Sequence, residues 1–380
     1  MPKPRSIFED VSEQGAKPEA RTGGIDRGGA SGGNRRLVRI WLAMLFVLVA
    51  AMVVVGGLTR LTDSGLSITE WAPITGAFPP MSEAAWSAEF EKYQKIPEFK
   101  LQNSHMDLAA FKEIYWWEWG HRQLGRFIGL VWAVGFLLLL VTKSIPAGWV
   151  PRFLGLGALG GLQGAIGWWM VSSGLTGERV DVAAYRLAIH LGLAFLILGL
   201  ISWYLLSLGR DAAKLMTARR AREGKLWGLS TGLLHLAFLQ ILLGALVAGI
   251  DAGRSFVDWP WMAGQIFPPD AFEISPIWRN FFENAGLVQF MHRMVGYLVV
   301  VFVLIVWRAS RRSPHADTRL AFSLVAVMVL AQAVLGITTV LQAAQLHVAI
   351  THQIGAILSF VLILNARFMS GYPNEQSVRG

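Results

Sequence analysis

The residues with the greatest chemical capacity in this sequence are histidines that lie in or beside long apolar stretches. Six of the eight histidines do so, and four of those six recur at matched positions along the chain: His121, His190, His292 and His352. An ionisable side chain within a membrane-spanning helix is costly, so each is a candidate functional group by default. Neutral imidazole is a ligand of iron, zinc and copper. The chain has no cysteine, which excludes disulfides, thiolate-bound clusters and a cysteine nucleophile.

An internal repeat relates these histidines in two pairs. Residues 56–71 (GGLTRLTDSGLSITEW) align without gaps on residues 244–259 (GALVAGIDAGRSFVDW). Three further matches follow in the same order: His121-Arg122-x-x-Gly125 with His292-Arg293-x-x-Gly296, Gln163-x-x-x-Gly167 with Gln332-x-x-x-Gly336, and His190 with His352. Each half therefore presents two imidazoles at similar depth, which is the arrangement of two axial nitrogens on a haem iron.

Other interpretations of the histidines stay open at this point. Any single one could be a neutral histidine hydrogen-bonded to a neighbouring helix, and a zinc or copper site would need more ligands in each half. His347, five residues before His352, is the alternative ligand in the last apolar stretch. His105 and His315 lie in expected loops, and we expect His235 to be a core residue.

The two halves differ beside the first histidine of each pair. Glu118 precedes His121 by three residues, which places both on one face of a helix. The matching residue in the second half is Gln289, and Arg126 is replaced by Tyr297. A carboxylate can transfer protons, whereas a glutamine can only hydrogen-bond. The first half is therefore predicted to be the reacting site, unless Glu118 merely lies at the level of the lipid headgroups.

Further charged residues are matched or nearly matched between the halves. Arg122 and Arg293 could pair with haem propionates or with lipid phosphate, and the sequence does not separate these. The other pairs, which we expect to fix loop turns, are Asp63 with Asp251 and Glu70 with Asp258.

The elements that position these residues are predicted to be membrane-spanning helices. Hydrophobic residues make up 54% of the 380 residues and charged residues only 16%, against about 25% charged in a soluble domain. Eight apolar runs are long enough to span a bilayer: 37–59, 123–142, 150–172, 185–206, 228–250, 287–307, 319–341 and 346–368. Continuous apolarity selects helices rather than a barrel.

The predicted fold is therefore an all-α integral membrane protein with eight transmembrane helices. They form two tandem four-helix bundles related by a pseudo-two-fold axis along the membrane normal. We expect a disordered cytoplasmic tail over 1–36, an N-terminal bundle over 37–206, a cytoplasmic linker over 207–227 and a C-terminal bundle over 228–368.

The formal charge of +9 reports orientation, not a nucleic-acid partner. With eight spans, 22 of the 34 Lys and Arg residues fall on the side that holds both termini. Basic loops stay in the cytoplasm. The sequence thus predicts a multi-pass protein of the cell inner membrane, with both termini cytoplasmic and the histidine sites towards the outer face.

Taken together, these motifs resemble the haem A synthase family. The resemblance covers residues 37–370 and rests on Glu118-Trp-Gly-His121-Arg122, on Gly57-Leu-Thr-Arg60, on the His190 and His352 spans and on the duplication. The absent cysteines place the chain nearer the proteobacterial and mitochondrial branch, because other branches carry a cysteine pair in the first outward loop.

The resemblance implies an activity and an assignment of each half. The activity is conversion of haem O to haem A by stepwise oxidation of the C8 methyl to a formyl group, for terminal oxidases. His121 and His190 would flank the substrate haem with Glu118 as acidic partner, and His292 and His352 would bind a haem b cofactor. Haem O synthase and an electron donor would be further partners.

Two other functions are compatible with the same sequence. A di-haem cytochrome b-type electron carrier would use the same four histidines, but it would favour equivalent halves, which the Glu118/Gln289 difference opposes. A transporter built from a parallel repeat predicts broken helices at mid-membrane, and glycine and proline are not concentrated there.

Overall fold

The described part of the chain, residues 32–374 of the computed structural model, is built from helices. Eight of these helices are long and apolar enough to cross a membrane. They are α1 (Gly32–Leu61), α4 (Leu108–Val141), α5 (Val150–Val171), α6 (Ala184–Leu208), α8 (Gly224–Gly249), α10 (Ala285–Ser310), α11 (Ala316–Leu341) and α12 (Leu346–Gly371). The eight predicted spans are confirmed.

Four shorter helices connect the spans. They are α2 (Glu83–Tyr93) and α3 (Pro97–Leu101) between α1 and α4, α7 (Ala212–Arg220) in the 207–227 linker, and α9 (Asn280–Glu283) between α8 and α10. We call residues 62–107 the first outward loop and residues 250–284 the second outward loop, after their predicted side. The first outward loop has its own core, in which Trp86, Tyr93, Phe111 and Tyr115 pack together.

Two predicted boundaries differ from the structure. Helix α1 begins at Gly32 rather than at residue 37, and most of the predicted tail, residues 1–31, lies outside the described residues. Helix α4 begins at Leu108, well before the apolar run at 123, because the Asp107 side chain accepts from the Ala110 N–H at 2.9 Å and caps the helix. His121 therefore lies inside α4, although the apolar run at 123–142 begins after it.

Each half is a four-helix bundle with the same neighbour relations. The first half consists of α1 and α4–α6, and the second half consists of α8 and α10–α12. In each half every helix packs against the next one along the chain, and the last helix packs against the first. The halves meet through α6, α8, α12 and α1. There the Phe195 and Phe360 rings lie edge-to-face with their centroids 5.4 Å apart, a separation typical of aromatic pairs. These relations are compatible with the predicted pseudo-two-fold axis.

Arg60 forms ion pairs with matched aspartates of the two halves. Arg60 Nη1 lies 2.7 Å from Asp63 Oδ1, and its Nη2 lies 2.8 Å from Asp251 Oδ2 and 3.5 Å from Asp181 Oδ1. Asp63 and Asp251, matched in the repeat, both adopt left-handed backbone conformations, with φ of 48° and 51°. The left-handed backbone at both positions agrees with the expectation that this pair fixes loop turns. In the second half, Ala248 aligns with Arg60.

Candidate functional site

In each half the two candidate histidines come from helices that are not neighbours around the bundle. His121 lies on α4 and His190 on α6; His292 lies on α10 and His352 on α12. The ring centroids of His292 and His352 are 6.4 Å apart, with an interplanar angle of 85°. A metal–imidazole bond of about 2.0 Å puts the metal about 3.2 Å from each ring centroid. Two imidazoles sharing one metal would therefore have centroids about 6.4 Å apart, so the pair fits axial ligation.

A glycine of a neighbouring helix lies against each of the four rings. A Cβ placed on Gly56 or Gly244 would be 3.1 Å from His121 or His292. A Cβ on Gly167 would be 2.9 Å from His190, and one on Gly336 would be 3.1 Å from His352. These glycines occupy matched positions in the repeat, although the sequence assigned them no role. Their lack of a side chain gives each imidazole its space.

Three of the histidines are also tied to a neighbouring helix by a glutamine. The Nε2 atoms of Gln163, Gln240 and Gln332 donate to the backbone carbonyls of His190, His292 and His352 at 3.0, 3.0 and 2.7 Å. Each amide nitrogen also lies 3.1–3.3 Å from a ring nitrogen of its histidine. We call this contact the glutamine clamp. In the described part of the chain, no hydrogen bond joins the His121 ring to another side chain.

Glu118 faces the first outward loop and is almost completely buried. Its Oε2 accepts from Ser67 Oγ and from the Ile68 N–H, both at 2.7 Å. Its Oε1 accepts from Arg122 Nη2 at 2.6 Å. The same carboxylate that lies one helical turn before His121 therefore fixes the loop above the first-half site.

The second half repeats this contact with an amide in place of the carboxylate. Gln289 Nε2 donates to the Phe256 carbonyl at 3.0 Å, and its Oε1 accepts from Arg293 at 3.1 Å. Phe256 aligns with Ile68 in the repeat. The exchange of glutamate for glutamine thus reverses the polarity of one bond: Glu118 receives a backbone N–H, whereas Gln289 reaches a backbone carbonyl.

The matched arginines are engaged by their own loops. Arg122 donates to the carbonyls of Ile68 and Glu70 at 2.7 and 3.0 Å. Arg293 donates to the carbonyls of Phe256 and Trp261 at 3.0 and 2.9 Å. These contacts give both arginines a role in loop closure that is independent of propionates or lipid phosphate.

Arg126 and Tyr297, which replace each other in the repeat, also contact loops. Arg126 donates to the carbonyls of Ala72 and Pro73 at 2.8 and 2.9 Å, and the Tyr297 hydroxyl accepts from Trp259 Nε1 at 2.8 Å. The matched pair Glu70 and Asp258 also forms hydrogen bonds. The Glu70 carboxylate accepts one from Lys92 Nζ, and the Asp258 carboxylate accepts one from the Gly264 N–H.

The remaining histidines lie away from both pairs. His347 is exposed, whereas His352 faces His292, so the geometry favours His352 as the candidate ligand. His105 is exposed in the turn before α4, and His315 precedes the first residue of α11. The expectation of a core position for His235 is wrong: it is exposed on α8, where its Nδ1 bonds the Thr231 carbonyl at 2.8 Å.

The donor set fits a porphyrin-bound iron better than a bare metal ion. Within residues 32–374, no group of three or more His, Asp or Glu side chains is arranged to hold a metal. Two imidazoles supply too few ligands for an ordinary zinc site, but they complete the axial positions of an iron whose other ligands belong to a macrocycle. The glycine contacts and the 6.4 Å ring separation agree with this ligation.

The fold and the histidine positions define a class of membrane protein. Over residues 32–374 it is a multi-pass, all-α membrane protein of two four-helix bundles, each of which carries two candidate histidines.

Comparison with known proteins gives the family. Residues 39–364 match the COX15-CtaA family of cytochrome oxidase assembly proteins, and the chain belongs to this family. It is 62% identical over 383 residues to a heme A synthase of Roseobacter denitrificans, with 100% of both chains covered. It is also 62% identical over 382 residues to one of Ruegeria pomeroyi, again with 100% of both chains covered. The identity to one of Paracoccus denitrificans is 59% over 376 residues, covering 99% of this chain and 98% of the relative.

Proposed function

We propose that this protein is a haem A synthase of the membrane, converting haem O to haem A for terminal oxidase assembly. The observation that carries the proposal is the facing pair His292 and His352, with matched histidines in the first half, in a chain about 60% identical over its full length to heme A synthases. The reaction oxidises the C8 methyl of haem O stepwise to a formyl group.

The two halves take different roles in this proposal. His121 and His190 bind the iron of the substrate haem, and His292 and His352 bind haem b. When bound, haem b supplies one-electron redox chemistry. The difference that supports this order is Glu118, since only the first half has an ionisable group at that position.

The protein's own groups then position and enclose the substrate. The four glycines leave room for the imidazoles, and the glutamine clamps fix the helices that carry three of them. Glu118 and Arg122 hold the first outward loop over the first-half site. We propose that Glu118 also serves as the acidic catalytic group, because it is the carboxylate nearest in sequence to His121.

The location and partners follow from the same proposal. Both termini lie in the cytoplasm of a cell with the protein in its inner membrane, and the histidine sites lie towards the outer face. Haem O, an amphipathic molecule, reaches the first half from the bilayer. An electron donor and haem O synthase are the proposed protein partners.

Extraction of the bound porphyrins tests the function. The purified protein is extracted and its porphyrins are identified by mass spectrometry. We expect haem b together with haem O or its hydroxylated products. Haem b alone would instead support the di-haem electron carrier, and the absence of any haem would contradict both functions.

Replacement of the first-half histidines tests the site assignment. We expect His121→Ala and His190→Ala to abolish haem A formation, because each removes an axial ligand of the substrate haem. Both variants should insert into the membrane and retain haem b. Haem A formation is measured by mass spectrometry in membranes supplied with haem O. Continued conversion by either variant would show that the site is elsewhere.

A further inference from the structure

The two halves differ in the residue that lies beside the first histidine of each pair. Gln240 of α8 clamps His292, and the matched residue of α1 in the repeat is Met52. The ends of the Met52 and Gln240 side chains lie beside matched glycines. Met52 Cε lies 3.4 Å from a Cβ placed on Gly125, and Gln240 Nε2 lies 3.2 Å from one placed on Gly296. Gly125 and Gly296 are themselves matched in the repeat.

Because α1 has a methionine where α8 has a glutamine, His121 lacks the glutamine clamp that the other three candidate ligands have. Its three counterparts receive an amide donor on their backbone carbonyl and near their ring. A methionine thioether has no N–H to donate. The segment of α4 that carries His121 is thus joined to α1 by packing alone at this level, and the ring contacts Gly56 rather than a polar group.

A haem with two histidine ligands has no free iron position, and the proposed substrate must arrive and the product must leave in every turnover. A resident cofactor has the opposite requirement. The glutamine clamps are distributed as these two requirements predict. The first half, assigned to the substrate, has one clamp, whereas the second half, assigned to the cofactor, has two.

We propose that Met52 makes His121 the exchangeable ligand of the first half, whereas the glutamine clamps hold the other three histidines in place. When His121 moves away, the bond between its ring nitrogen and the substrate iron breaks and the imidazole keeps the electron pair. The iron neither gains nor loses an electron. His190 remains clamped by Gln163 and holds the haem during the exchange. Met52 is a positioning residue in this scheme, and the inference rests on the proposed function of the first half.

The test is to install the second-half residue in the first half. Met52→Gln would add a clamp to His121, and Met52→Leu is the matched control because leucine also lacks a donor. The readout is the rate at which carbon monoxide binds to each reduced haem, since it must wait for a histidine to leave. The His121→Ala and His292→Ala variants assign each spectral signal to a half.

We expect Met52→Gln to slow carbon monoxide binding in the first half by about 3- to 20-fold, the range that follows from the measured strength of hydrogen bonds between membrane helices. Met52→Leu should keep the fast rate. The reciprocal change, Gln240→Met, should accelerate binding in the second half by a similar factor. Haem content at equilibrium is measured alongside, so that a variant that fails to fold is recognised and Gln240→Met then carries the test.

The outcomes separate this inference from the proposed function. Equal rates for Met52→Gln and Met52→Leu, with Gln240→Met also unchanged, would overturn the role of Met52 and leave the assignment of the halves intact. If His121→Ala leaves the first-half haem spectrum unaltered, the proposed ligation itself is wrong. A first-half rate no faster than the second-half rate in the unmodified protein would also contradict the inference.

Discussion

At the scale of residues, a second buried carboxyl lies near Glu118 in the outward region of the first half. Glu98 of α3 is 3% exposed, and its Oε2 has no hydrogen-bond partner. Burial, with a smaller contribution from the carboxylates of Asp181, Glu118 and Asp63 and against the opposing charge of Arg60, raises the pKa of Glu98 to about 8. Glu98 is therefore protonated in the folded protein at neutral pH, unlike an ordinary glutamate.

This carboxyl predicts how stability depends on pH. Because its pKa is higher in the folded protein than in the unfolded chain, the folded state binds the additional proton between about pH 4.5 and about pH 8. Stability is thus fully present below the unfolded pKa and is lost as pH rises through this range. Glu98→Gln removes the loss and should raise the free energy of unfolding at pH 8 by about 2–4 kcal/mol.

Thermal unfolding in detergent from pH 5 to pH 9 measures this effect. The exposed Glu178 provides the control, and Glu178→Gln should leave the pH dependence as it is. Identical pH dependence in Glu98→Gln and the unmodified protein would refute the prediction.

At the scale of elements, the close approach of helices places the imidazoles. Helix α5 carries Gly167 against the His190 ring, and a Cβ there would be 2.9 Å from His190 Cε1. Gly167→Ala should displace the ring and weaken haem binding in the first half by about 1–3 kcal/mol, the usual cost of overpacking. The haem proposed for the second half should be unaffected.

Gly161 offers a matched control on the same helix, because nothing lies within 4 Å of a Cβ placed there. The measurement is the amount of each haem extracted per protein from the two variants. Equal haem contents in Gly167→Ala and Gly161→Ala would show that the glycine contact does not position His190.

At the scale of the whole molecule, Arg60 joins the halves through Asp63 and Asp251. Its side chain is 13% exposed, so Arg60→Met would leave a group of partly buried carboxylates without their shared cation. Breaking such a pair costs about 3–5 kcal/mol when it is fully buried. The aspartates here are 36–49% exposed, so we expect a smaller loss of about 1–3 kcal/mol after solvent screening.

Arg254→Met is the matched control, because Arg254 is 48% exposed and lies 3.9 Å from the same Asp251. The melting temperature in detergent should fall for Arg60→Met and change little for Arg254→Met. Equal melting temperatures would mean that the inter-half contact of Arg60 does not stabilise the molecule.

The eight spans, the duplication and the candidate histidines can all be predicted from the amino-acid sequence. Long apolar runs can cross a bilayer only as helices or as closed barrels. The repeat and its matched histidines can be recognised by aligning the sequence with itself. Helix boundaries beyond the apolar runs were harder to predict from the sequence. Helix α4 begins at Leu108 because the Asp107 side chain caps it there, and not because the segment is apolar.

The residues that surround the imidazoles, in contrast, are set by the packing of the helices. Gln240 stands in a span as one polar residue among apolar ones, and its partner His292 is 52 residues away. The role of Met52 is visible only when α1 and α4 are packed, because it depends on a hydrogen bond that the second half makes and the first does not. Glu118 likewise gained Ser67 and Ile68 as partners through the folding of the outward loop. Helix propensity and hydropathy act locally, whereas these contacts arise from the approach of helices distant in sequence.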